Sequence, residues 1–342
     1  MSDIAIVPEA SSRDLLNSLS RHQQAPIVAE VRTVLDHELQ DILKEDIDHL
    51  FADHPRSLDE IIGSGEKTFA RYRGNRAVLL TELERRPRID FLALCYVGKI
   101  PNHIQTGDVR FDLAELCFFK RLDFFCRQLS DVLGKPVSFT IAVEDQFFDT
   151  HIFGYETSYS SETLQRSREE LERLGCTNVN AEPLTRYLST EFLSVFETRV
   201  LESARDLGNI SEAMRRTFEL AYPTTAFEAA LRQYDDLRGR EVIQHWADYR
   251  VRQYMAFFEA RDRTRFWECN RLFMRATDSE RESVVQVEFG VGRVSVPHGV
   301  AILRNAHVID CEYYYDFITE RAKTGEAICE LVDERGQHLA FC

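Results

Sequence analysis

Two short segments gather the residue types that bind anions and move protons. The first runs Gly98-Lys99-Ile100-Pro101-Asn102-His103 and ends at Arg110, Phe111 and Asp112. The second is Glu144-Asp145-Gln146-Phe147-Phe148-Asp149. Lys99, Arg110 and the Asn102 amide offer cations and directed donors to a phosphate. Asp112, Glu115, Glu144, Asp145 and Asp149 offer carboxylates. Carboxylates that crowd one another push one pKa up towards neutrality, which suits acid–base work. His103 and His298 add imidazoles. Each group also has an ordinary structural use. Asp112 with Glu115 fits the D-x-x-E capping box of a helix start. Lys99 fits plain surface, and Asp145 and Asp149 fit turn formers. His298, between Pro297 and Gly299, fits a structural histidine in a strand-forming stretch.

These residues need elements to hold them. Residues 89–97, IDFLALCYV, form a nearly continuous apolar run, the pattern of a strand covered on both faces. Gly98–Phe111 is a loop by its Gly, Pro and Asn. From Asp112 to Leu133 the apolar positions are Leu113, Leu116, Phe119, Leu122, Phe125 and Leu129, the spacing of a helix. Gly134 is placed to end it. Residues 137–143, VSFTIAV, read as a second strand. Strand, helix, strand is a βαβ unit, right-handed and parallel in its simplest form. Ligands of such sheets bind beyond the carboxyl ends of the strands. Both polar segments leave strand ends of this kind, so they are expected on one rim. Phe147, Phe148 and Tyr96 either line an apolar slot there or anchor the loops.

The rest of the chain surrounds this unit. Residues 1–25 read as a flexible arm. Residues 27–51 carry apolar positions at steps of three and four and read as one amphipathic helix. His37, Asp41, Asp46 and His49 on it have metal-ligand types, but a solvated acidic face explains them. Lys120 and Arg121 are read in the same way, as solvated helix charges. Residues 67–88 hold the main basic cluster. Helices are expected over 161–174 and 184–205, with a short strand or a connection at 177–182. From 209 to 276 the chain reads as helix after helix. Strands are expected at 283–289, 293–297, 298–303 and 307–315. The expected fold is α/β: a Rossmann-like, partly parallel sheet with a large helical insertion (185–280) and a C-terminal mainly β segment (281–342). Residues 26–342 form one domain in this reading.

Composition narrows the function classes. The 342 residues carry 42 Lys and Arg against 57 Asp and Glu, a formal charge of −15. No net positive field exists to attract a nucleic-acid backbone. A small anion must then be held by cations gathered in one place. No apolar run approaches the roughly 20 residues that span a bilayer, and the first residues lack the basic and apolar regions of a secretory signal. The eight cysteines include no C-x-x-C pair and mostly sit in apolar stretches. They read as buried reduced thiols of a cytoplasmic protein. No H-E-x-x-H or comparable pair supports a metal hydrolase.

The segment GKIPNHIQTGDVRFDLAELCFFKRL resembles the signature of the isonitrile synthase family of pyoverdine and dityrosine biosynthesis. Lys99-Ile100-Pro101-Asn102 is similar to that family's Lys-Ser-Pro-Asn element. Asp112-Leu113-Ala114-Glu115 is similar to its Pro-Asp-x-x-Glu helix start, with Phe111 in place of the Pro. Glu144-Asp145-Gln146 stands where the family has Ser-Asp-Gly. Pro297-His298-Gly299 stands where it has Trp-His-Gly. A second Lys common after Pro-Asn is absent, and His103, Ile104 and Gln105 occupy those positions. The resemblance covers about 88–155 well and 293–303 more thinly.

The resemblance implies an enzyme. It joins the α-amino group of an amino acid, tyrosine or tryptophan, to the ketone carbon of ribulose 5-phosphate, and that carbon ends as the isonitrile carbon. It implies no metal or redox cofactor. Asp112, Glu115, Asp145 and His298 are the expected proton carriers. Lys99, Asn102, His103, Arg110, Glu144 and Phe148 are the expected substrate-binding residues. An iron(II)/2-oxoglutarate oxygenase is the expected functional partner, acting on the product. Two alternatives stay open: a non-catalytic protein binding a phospho-metabolite or amino acid, and a variant forming N-formyl amino acids.

Overall fold

The computed structural model describes residues 28–51, 57–63, 70–73, 76–94, 109, 111–143, 158–203, 259–260, 263–264, 272–274, 286–289, 299–305, 308–312 and 314–342. Its strands fall into two sheets. The larger contains β2 (Ile62–Gly63), β3 (Ala70–Arg73), β4 (Ile89–Leu94), β5 (Val137–Val143), β6 (Val179–Pro183), β7 (Leu272–Met274) and β8 (Gln286–Phe289). The smaller contains β1 (Val28–Val34), β9 (Val300–Asn305), β10 (Val308–Glu312), β11 (Ile328–Asp333) and β12 (His338–Phe341). The helices are α1 (Asp36–Leu50), α2 (Leu58–Ile61), α3 (Arg76–Arg85), α4 (Leu113–Leu133), α5 (Ser158–Arg173), α6 (Thr190–Ser203) and α7 (Tyr314–Thr324). A 3-10 turn, Leu184–Tyr187, precedes α6.

The chain is α/β, as its apolar pattern predicts. The larger sheet has the order β2-β3-β8-β7-β4-β5-β6. From β6 across to β8 every neighbouring pair is parallel. The chain winds outwards from β4 through β5 to β6, then returns to β7 on the other side of β4. The order therefore reverses at β4, and the carboxyl ends of β4 and β7 flank a topological switch point. Ile89, Phe91 and Leu92 of β4 are all fully buried, which is why their sequence shows no alternation.

The smaller sheet, β1-β11-β12-β9-β10, lies across α4 from the larger one. The six helix positions named from spacing are all buried. Cys117, Phe118, Phe124 and Cys126, on other sides of the same helix, are buried too. The reason is the second sheet. One core joins Phe91 and Phe139 of the larger sheet to Ala301, Leu331, Leu339 and Ala340 of the smaller, with α4 between them. Phe125 packs on Phe91 with ring centroids 5.7 Å apart, and Phe124 stacks on Phe51 at 5.0 Å. Gly134 ends α4 at φ 64°, a left-handed conformation that favours glycine.

Several expectations need correction. Residues 27–51 are not one helix: Val28–Val34 is a strand, and the helix starts at Asp36. β1 is an edge strand with Val31 60% exposed, and only its end residues Val28 and Val34 meet the core. Asp46 and Arg121 are not solvated charges. Arg121 donates to both oxygens of Asp46, Nε to Oδ2 at 2.8 Å and Nη2 to Oδ1 at 2.6 Å. Lys120 is partly buried and donates to the Leu174 carbonyl at 2.9 Å. Leu272–Met274, inside the stretch read as helical, is the strand beside β4. In 307–315 the strand stops at Glu312 and α7 begins at Tyr314. Residues 1–27, 204–258 and 290–298 lie outside the described residues. So do most of the 67–88 cluster's side chains.

The Asp46–Arg121 pair has side chains only 5% and 13% exposed. Removing one partner strands the other charge in the core. Arg121→Met is expected to cost about 3–5 kcal/mol in urea unfolding. The double variant D46L/R121M is expected to recover most of that loss. A single variant as stable as the parent would contradict the pairing.

The expectation of buried thiols holds for three of the six described cysteines, while Cys329 and Cys342 are half-buried. Cys117, Cys126 and Cys176 are buried and unbridged. Burial pushes the Cys176 thiol up to about 12, with the Asp123 carboxylate adding to it. Cys311 is exposed. Cys95 and Cys269 lie outside the described residues. Among the described residues no helix is long and apolar enough to cross a membrane.

Candidate functional site at the start of the central helix

Strands β4 and β5 are parallel and in register from Ile89↔Val137 to Leu94↔Ala142. The chain therefore leaves both strands at the same edge of the sheet. The carboxyl ends of β4 and β5, which the two polar segments follow in sequence, therefore lie side by side. Of their residues, Lys99, Asn102, His103, Arg110, Glu144, Asp145, Phe147, Phe148 and Asp149 lie outside the described residues, as do Tyr96 and His298.

The far end of the first segment is described, and it leads to the other sheet. Val109 is buried in a cluster with Val300 and Ile302 of β9, Phe317, Ile328 and Phe341. Phe111 is 3% exposed and packs against Phe119 of α4, with centroids 5.8 Å apart. The next residue, Asp112, caps α4. Its Oδ1 accepts the Ala114 N–H at 2.9 Å, and its own N–H donates to Glu115 Oε2 at 2.8 Å. This is the reciprocal box that D-x-x-E predicts.

Asp112 does more than cap. Its Oδ2 accepts the Ala301 N–H of β9 at 2.7 Å, from 189 residues further along the chain. Asp112 and Glu115 are each 1% exposed, so these hydrogen bonds sit out of water. Ala301 lies three positions after His298 and two after Gly299. One buried carboxylate thus ties the Asp112–Glu115 helix start to the Gly299–Ala301 strand start. Gly299 is itself required. A Cβ built there would stand 2.2 Å from the Glu312 carbonyl oxygen and 2.6 Å from its carbon. Any larger residue would force β9 and β10 apart.

A neighbouring cation completes the described part of the site. Arg166 of α5 lies over the Phe111 ring with its guanidinium carbon 4.7 Å from the centroid. Its Nε is buried without an acceptor. The Glu170 carboxylate one turn on is already occupied. Its Oε1 accepts from Arg335 Nη2 at 2.5 Å and its Oε2 from Arg173 Nε at 2.7 Å. Asp333 accepts from Arg335 Nε at 3.0 Å and from the Gln337 N–H at 2.8 Å. Burial works against the Arg166 charge and draws its pKa below the ordinary arginine value. Glu170 opposes this and Arg335 adds to it, while Glu115 and Asp333 also favour the charge.

Sequence reasoning named Asp112 and Glu115 and missed Arg166. The helix SSETLQRSREELER alternates charges without a pattern that singles out one arginine. Nor did it foresee that β7 lies at the switch point, because three residues show no period. Among the described residues no group of His, Cys, Asp and Glu is arranged to hold a metal ion.

Against known proteins, no family model matches the chain and no curated protein does. Among solved structures it is similar to the PvcA protein from Pseudomonas aeruginosa. The identity is 17% and the TM-score 0.46, over 79% of this chain and 95% of that one. It is also similar to CDPS from Staphylococcus haemolyticus, at 11% identity and TM-score 0.26. That match covers 61% of this chain and 93% of the other.

Proposed function

We propose that the chain is an isonitrile synthase, joining the α-amino group of tyrosine or tryptophan to the ketone carbon of ribulose 5-phosphate. One observation carries the reading beyond sequence resemblance: the 2.7 Å hydrogen bond from the Ala301 N–H to Asp112 Oδ2. It ties the Asp112–Glu115 segment to the Gly299–Ala301 segment, two stretches that the sequence resemblance assigns to one site. That place adjoins the carboxyl edge of a parallel sheet, the usual ligand position in such folds.

In this reading Asp112 is a positioning residue. Both its oxygens accept backbone N–H groups, so it fixes the helix start and the strand start against each other. Glu115, Asp145 and His298 carry the protons. An amino-acid amine is mainly protonated at neutral pH and must lose a proton before it attacks a ketone. Loss of water as the amine joins the ketone carbon, and cleavage of the two carbon–carbon bonds that tie that carbon to the sugar remainder, need further proton transfers. Lys99, Asn102, His103, Arg110 and Glu144 hold the polar parts of the substrates, and Phe148 packs on the aromatic ring. Dehydration is favoured where water is excluded, which fits carboxylates as buried as Glu115. The product passes to an iron(II)/2-oxoglutarate oxygenase in the cytoplasm.

The test is incubation of the purified protein with ribulose 5-phosphate and each amino acid, with detection of isonitrile by mass and by tetrazine trapping. Lys99→Met sharpens it. Loss of a phosphate cation is expected to raise the KM for ribulose 5-phosphate by roughly 10- to 100-fold and to leave the KM for the amino acid within a few-fold. An equal or opposite effect on the two substrates would contradict phosphate binding by Lys99.

A further inference from the structure

Arginines in the described part of this protein are mostly spoken for. Arg121 is held by Asp46, Arg173 by Glu170 and Asp36, and Arg335 by Glu170 and Asp333. Arg166 differs. It sits among the same carboxylates, yet both oxygens of Glu170 serve Arg335 and Arg173. Among the described residues no ion pair takes its guanidinium, and its Nε is buried with no acceptor. It is not loose, however. Its guanidinium carbon lies over the Phe111 ring, 4.7 Å from the centroid, and Phe111 packs against Phe119 of the central helix. A buried guanidinium N–H without an acceptor is a costly arrangement unless something supplies an oxygen atom to it.

We propose that Arg166, held against Phe111 beside the Asp112–Glu115 helix start, binds an oxyanion, a carboxylate or a phosphate, of the small molecule on which the protein acts. The planar fork matches two oxygens of either group. Arg166 belongs to no segment of the sequence resemblance. The identity of the ligands tested rests on the isonitrile synthase reading; the presence of an anion site does not.

The experiment is titration calorimetry on the full chain and on the variants Arg166→Gln and Arg166→Lys. The probes are tyrosine, tryptophan, ribulose 5-phosphate, inorganic phosphate and oxalate. Circular dichroism and the melting temperature show whether each variant is folded. Arg166→Gln is expected to weaken at least one probe by about 10- to 100-fold. Arg166→Lys keeps the charge but not the fork, and is expected to fall between. Should Arg166→Gln not fold, Arg166→Lys alone decides, through a loss of affinity at an unchanged melting temperature. A loss for the amino acids and oxalate identifies a carboxylate site. A loss for ribulose 5-phosphate and inorganic phosphate identifies a phosphate site. If the simple anions bind through Arg166 but neither tyrosine, tryptophan nor ribulose 5-phosphate binds, the anion site stands and the synthase reading fails. Affinities unchanged in the folded variants, or no oxyanion bound by the parent protein, would overturn the proposal.

Discussion

Replacing Asp112 by alanine is expected to destabilise the protein by about 2–5 kcal/mol, because two buried N–H groups lose their acceptor together. The Ala114 N–H would be left at the start of α4 and the Ala301 N–H at the start of β9. Neither is near water, since Asp112 is 1% exposed. Asp112→Asn is the informative control. Its amide oxygen can still accept one N–H, while its NH2 group must face the other, so an intermediate loss is expected. A helix cap alone is worth about 1 kcal/mol. A loss of that size in the alanine variant would mean that the contact to β9 contributes nothing. Urea unfolding with an unchanged slope measures it.

The second large effect concerns chemistry rather than stability. Glu115→Gln preserves the shape and keeps an oxygen for the Asp112 N–H, which now holds Glu115 Oε2 at 2.8 Å. It removes the ability to carry a proton, together with a negative charge that favours the Arg166 cation. If Glu115 works as the acid or base, kcat should fall by about 10²–10⁴-fold, with stability within about 1 kcal/mol of the parent. Activity near the parent level would make Glu115 a helix cap and nothing more. The two variants thus separate roles that one short motif combines: Asp112 as clamp, Glu115 as proton carrier.

The sequence made some of this legible and hid the rest for physical reasons. β4, β5 and α4 could be read because each has a pattern that burial imposes. A strand covered on both faces is apolar throughout, and a long helix shows its period over many turns. The D-x-x-E box is local, so its hydrogen bonds could be foreseen. β1 could not be recognised because the middle of this edge strand is exposed on both faces and only its ends, Val28 and Val34, meet the core, which gives no period. β7 is only three residues long. The Asp46–Arg121 pair links α1 to α4 across 75 positions, and Asp112 reaches Ala301 across 189. Nothing local marks either partner, so both looked like surface charge or a simple cap. Arg166 is hidden most deeply. Its distinction lies in what its neighbours have already bound, which only the assembled fold reveals.

The net charge of −15 takes on a sharper meaning here. A phosphosugar or an amino-acid carboxylate approaches against the field of the whole molecule. Binding then depends on a few cations held in place, and Arg166 joins Lys99 and Arg110 as a candidate.

The central claim is that this protein forms isonitriles. The most direct measurement supplies ribulose 5-phosphate isotopically labelled at the ketone carbon, with tyrosine or tryptophan, to the purified folded protein. The account predicts an amino-acid isonitrile that carries the label on its isonitrile carbon, together with release of the sugar remainder and phosphate. Absence of any isonitrile with either amino acid, or with the other proteinogenic amino acids, would contradict it.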